Sequence, residues 1–169
     1  TLWVVGVTGV DVLDAATGVR VESIDTSTFG YVNSVTIRNG LAALAIEAVP
    51  ARTLPGLVVF FDTRTRKLAN GINQVPVGAL PDMLTFTPDG KRIVVANEAT
   101  PTTYGARLGT TVPRVYGPAA VDPAGSVSII DVESRSVVTT AGLAGVPTSG
   151  SNLRLNTGMD FEPEYIAVN

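Results

Sequence analysis

The stretch PDMLTFTPDGKRIVVANE, Pro81 to Glu98, decides how the chain is read. Two apolar runs flank Pro88-Asp89-Gly90, and the second ends abruptly on Asn97-Glu98. A partner stands upstream in NSVTIRNGLAALAIE, Asn33 to Glu47, which reads strand, Asn39-Gly40 turn, strand, then Glu. The separations agree: 49 residues between Val35 and Leu84, 50 between Asn39 and Asp89, and 51 between Glu47 and Glu98. Asn-Gly and Asp-Gly favour the positive φ that tight hairpins demand, so both stretches are expected to be β-hairpins.

A further strand type recurs in GVDVLDAATG (Gly9 to Gly18), GLVVFFDTRT (Gly56 to Thr65) and GSVSIIDVES (Gly125 to Ser134), each ending in Asp and a turn. A more polar strand follows each: Val19 to Ser23, Gln74 to Val77 and Ser136 to Thr140. The chain then returns to the first type at Asn33, Asp82 and Glu164. Four short strands at a period near 48 form an all-β repeat of the β-propeller kind, whose blades run ~40–50 residues. One segment argues otherwise. GLAALAIEAV (Gly40 to Val49) favours helix by propensity, yet its register matches Lys91 to Glu98, and strand is the reading that fits the repeat.

Composition narrows the chemistry. The 169 residues are 45% hydrophobic and 16% charged, which suits a packed domain. Net charge is −3, with two lysines and ten scattered arginines, so no basic stripe exists to grip nucleic acid. Neither Cys nor His occurs. Disulfides, thiolate or imidazole zinc sites and a Ser-His-Asp triad are thereby excluded within this chain, and a metal would need hard oxygen ligands such as suit Ca²⁺ or Mg²⁺. No apolar run is long enough to span a membrane. Thr1 in place of Met fits a processed or truncated chain. No Walker motif, dinucleotide fingerprint or EF-hand loop is present.

The succession PDMLTFTPDG, ANE, GSVSIID and EPEYIA resembles the YVTN-type β-propellers of secreted bacterial proteins, and more narrowly the choice-of-anchor I domain. The resemblance covers roughly residues 9–98 and 125–169. It implies four-stranded antiparallel blades and a secreted, periplasmic or cell-surface setting. Some members of that group are described as atypical alkaline phosphatases or phytase-like esterases, others only as anchored surface proteins. By count the chain holds about half a blade, two full blades and the first strand of another. Closed propellers have about 4–8 blades, so residues 1–169 are expected to be a single segment of a larger propeller, or to be completed by other chains.

The resemblance also implies that first strands line a central channel and that their starts share a rim with the ends of second strands. Asn33, Asp82, Glu164, Glu47, Glu98 and Glu162 then gather on one face. Long loops at 99–124 and 141–163 fall on the same face, and long loops without secondary structure are commonly functional. Crowded carboxylates favour a cation among them, so these six residues are candidate Ca²⁺ ligands, with water completing the shell. Arg107, Arg114 and Arg154, with Tyr104 and Tyr116, are candidate contacts for an anionic small molecule. The competing reading has the carboxylates capping strand-end N–H groups. Asp14, Asp62 and Asp131 are expected to bond the backbone of their own turns, and Trp3 to belong to the core. Three functions follow in order: a rim that binds a ligand or divalent metal, a Ca²⁺-dependent phosphomonoesterase whose nucleophile is metal-bound water, and a structural spacer.

Overall fold

The computed structural model describes residues 1–101, 123–143 and 161–169. These form three antiparallel sheets in chain order, each a simple meander. The first contains β1 (Leu2–Gly6), β2 (Gly9–Leu13) and β3 (Arg20–Asp25). The middle sheet contains β4 (Tyr31–Arg38), β5 (Leu41–Glu47), β6 (Pro55–Asp62) and β7 (Gln74–Ala79). The third contains β8 (Pro81–Phe86), β9 (Arg92–Asn97), β10 (Ser126–Asp131) and β11 (Ser136–Gly142). Each full sheet is a four-stranded propeller blade, and the chain is a partial β-propeller.

The first blade holds one strand more than half. Leu2–Gly6 pairs with β2 from Leu2↔Leu13 to Gly6↔Gly9. Val7 and Thr8 make a two-residue turn that the longer connections of the other blades do not forecast. Trp3 is buried, and it packs with Val10, Val12 and Ile24 against the middle blade. At the other end, Phe161–Asn169 pairs with no strand among the described residues, so the strand expected to open another blade is not formed there. The Phe161 carbonyl and Pro163 press on Gly125, as Pro81 presses on Gly56 one blade earlier.

The core lies between blades. Ala42, Leu44 and Ile46 of β5, with Val59 and Phe61 of β6, face the first sheet. Ala43, Ala45, Val58 and Phe60 face the third sheet, where they meet Leu84, Phe86, Ile93, Val95 and Ile130. Period-two alternation thus puts apolar groups on both faces of one sheet. This explains the helix-like composition of β5: a strand with two covered faces has no polar side to show. Ala42, Ala43 and Ala45 share the strand with Leu44 and Ile46, and burial on both faces overrides propensity.

The two hairpin turns differ. Asn39 and Gly40 both have positive φ, 49° and 82°. At Asp89-Gly90 only Gly90 does, at 75°, because the Asp89 carboxylate instead accepts from the Thr87 hydroxyl at 2.6 Å and the Lys91 amide at 3.0 Å. The turn aspartates behave as their recurrence implies. Asp14 accepts from the amides of Ala16 and Thr17, Asp62 from Arg64 and Thr65, and Asp131 from Ser134. These bonds favour the carboxylate and hold Asp14 and Asp62 below the usual Asp range.

Candidate functional site

The inner strands β4 and β8 each begin with a β-bulge. Val32 pairs with Ile46 and Ser34 with Ala45, leaving Asn33 as the extra residue. In β8 the register slips between Pro81↔Asn97 and Leu84↔Val95, so Asp82 and Met83 share the slip. Asn33 and Asp82 are equivalent residues of successive blades, and both sit where a bulge turns the chain. Bulges bend a strand and re-aim its side chains, and they concentrate at rims and sites. Period-two reading of the sequence carries no signal for them.

Blade meets blade at this end of the strands. Asn33 Nδ2 donates to the Pro81 carbonyl at 3.0 Å and lies 3.4 Å from Glu47 Oε2. Ser34 Oγ donates to the Asp82 carbonyl at 2.6 Å. The Glu98 amide donates to the Leu80 carbonyl at 2.8 Å, which ties the end of β9 to the connection entering β8. Behind this rim Asn97 is fully buried, and its Nδ2 donates to the hydroxyls of Ser126 and Ser128 at 3.1 and 2.9 Å.

The carboxylates fall at this junction from separate segments. Glu47 is buried, with 8% of its surface exposed. Glu98 is half-buried, and Glu98 Oε1 accepts from the Thr100 hydroxyl at 2.6 Å. Thr100 thus has a carboxylate partner in Glu98. Glu162 is half-buried and Glu164 exposed. Asp82 registers the combined field. Burial raises its pKa above the ordinary Asp value, and the negative charges of Glu98, Glu164 and Glu47 raise it further, in that order. Among the described residues, no three acidic groups stand close enough to form a ready-made metal cage.

A cleft of about 620 Å³ opens beside the rim. Tyr31, Glu47, Val49, Arg52, Thr100 and Pro101 line it. Tyr31 and Arg52 are additions that the repeat alone does not single out. Tyr31 pairs with Glu47 across the β4–β5 ladder, so its position beside the carboxylate is fixed by register. Arg107, Arg114, Arg154, Tyr104 and Tyr116 lie outside the described residues.

Comparison with known proteins agrees with this architecture. No curated protein matches the chain. Among solved structures, a chain of the Kuenenia stuttgartiensis hydrazine synthase superposes with a TM-score of 0.57 at 16% sequence identity. The match covers 82% of the present chain and 33% of that one. At that identity the likeness is one of fold, and the present chain spans about a third of the matched chain's length. The family profile of the choice-of-anchor I domain matches residues 1–169. The blades, the rim and this match over the whole chain together make the protein a member of the choice-of-anchor I domain family.

Proposed function

We propose that this propeller domain is a binding module whose acidic rim takes up a divalent cation, Ca²⁺ in the first instance, through Asp82, Glu98, Glu164 and Glu47. One observation carries the reading: Asp82 feels the charge of three carboxylates brought from three other segments while it is itself partly withdrawn from water. A fold that served only as a spacer gains nothing from that repulsion, and a bound cation would relieve it. The donor set is all carboxylate and amide oxygen, which suits a hard ion. Its spread favours an ion that keeps several waters, with Glu162 and Asn33 at the edge of the shell. Choice-of-anchor domains are associated with cell-surface or secreted proteins, a setting in which Ca²⁺ is plentiful enough for weak sites of about 10⁻⁴–10⁻³ M to fill.

Binding is the role this arrangement supports best. Phosphomonoester hydrolysis would need the anion clamp expected at Arg107, Arg114 and Arg154, with the blades needed to close a larger ring contributing the rest. Thermal unfolding with and without Ca²⁺ tests the binding reading. A ligand that binds only the native state raises the melting temperature as its concentration climbs past Kd. A melting temperature indifferent to millimolar Ca²⁺ would defeat the proposal.

A further inference from the structure

The middle and third blades part again at the opposite end of their strands. The β4–β5 turn at Asn39-Gly40 lies at the far end of β4 from Asn33. There, with the turns after β6, β8 and β10, it surrounds a cleft of about 750 Å³. Its walls carry Arg38, Arg64, Lys67 and Arg135 against two carboxylates, Asp62 and Glu133. Four positive charges less two negative leave a surplus of two, in a chain whose net charge is −3.

Two of the cations are held in place by backbone. Arg135 Nη1 donates to the carbonyls of Asn70 and Ile72, both at 2.6 Å, and its guanidinium lies 5.4 Å from the centre of the Phe60 ring. Arg38 donates from Nη2 to the Pro88 carbonyl. Each arginine therefore joins the middle blade to the third through neutral carbonyls; Arg38 also feels the charge of Asp89 in the turn it reaches. A guanidinium has five donors, and those of Arg135 beyond Nη1 have no protein partner among the described residues. Asp62 is occupied with its turn, where Oδ1 accepts from the Arg64 and Thr65 amides. Arg64 and Lys67 are exposed and form no ion pair among the described residues. Leu41, Phe86 and Val132 add apolar wall.

The geometry points to a second site, on the face opposite the acidic rim, that binds a small organic dianion, either a phosphate monoester or a dicarboxylate. Two guanidinium groups fixed across one cleft offer the planar, charge-assisted donors that oxyanions accept. Arg64 and Lys67 add exposed positive charge to the lining. The volume lies within the ~300–1,000 Å³ usual for small-molecule sites, and the apolar wall accommodates a carbon body. The cleft shares no residue with the rim.

Calorimetric titration of the protein at low salt with phenyl phosphate, phthalate and benzoate tests it. The expected result is one-to-one binding of at least one dianion, weaker by about tenfold in the Arg64→Gln, Lys67→Gln double variant. The melting temperature of that variant should stay close to the parent's, since neither side chain forms an ion pair among the described residues. Phenyl phosphate alone would assign a phosphate monoester, and phthalate alone a dicarboxylate. The Glu98→Gln, Glu164→Gln variant should bind the same dianion as tightly as the parent. The inference is overturned if neither dianion binds, if the Arg64→Gln, Lys67→Gln protein binds equally well, or if benzoate binds as tightly as the dianions.

Discussion

Asn33 Nδ2 donates to the Pro81 carbonyl at 3.0 Å, across 48 residues of sequence and from one blade to the next. The separation is close to the blade period. Ser34 and Asp82, also 48 apart, repeat the contact beside it at 2.6 Å. Inner strands of neighbouring blades thus meet at like positions, and the amide of Asn33 both joins the blades and faces the carboxylate of Glu47.

Asn33→Ala removes this donor and leaves the Pro81 carbonyl without it. The expected loss is about 1 kcal/mol, read as a lower urea midpoint at unchanged slope. Asn33→Asp should cost more at neutral pH, because it sets a new negative charge against Glu47. A midpoint unmoved in Asn33→Ala would show that the blades are held elsewhere.

Asp82 gives a pH signature of defined sign. Its native pKa lies above the unfolded reference of 3.8, first through burial and then through Glu98, Glu164 and Glu47. The protonated form is thus favoured by folding. The stability it contributes is complete below pH 3.8 and is lost as pH rises through the raised native value. Asp82→Asn should therefore melt above the parent at neutral pH without Ca²⁺, with the gap closing on acidification toward 3.8. An Asn variant that melts lower at neutral pH would contradict the crowding of these carboxylates.

Gly56 marks where one blade enters the next. A Cβ there would stand 2.4 Å from Pro81 Cδ and 2.5 Å from the Ile46 carbonyl. Both neighbours are rigid, so Gly56→Ala should destabilise by ~1–3 kcal/mol. Denaturant unfolding measures it, and a neutral result would mean the blades slide apart without loss.

The two full blades were legible because their second strands run out at Glu47 and at Asn97-Glu98 and their third strands at Asp62 and Asp131. Asn39-Gly40 sets its hairpin by positive φ at both residues, and Asp89-Gly90 by positive φ at Gly90 with the Asp89 carboxylate bonding its own turn. Val7-Thr8 was not legible as a turn, since the other blades have long connections at that point and the pattern gave no reason to expect a short one. The bulges at Asn33 and Asp82 were hidden for another reason. A bulge adds a residue without changing composition, and pairing across strands alone reveals it. Tyr31 joined the site through register with Glu47, a contact between residues that no motif links.

Cation binding by the rim carboxylates is read out by a calorimetric Ca²⁺ titration of the protein beside its Glu98→Gln, Glu164→Gln variant. Stoichiometric binding by the parent and its loss in the variant are expected, with both proteins folded. No heat of binding, or heat that survives both substitutions, would contradict cation binding at the rim and leave these glutamates as groups that hold the blade ends together.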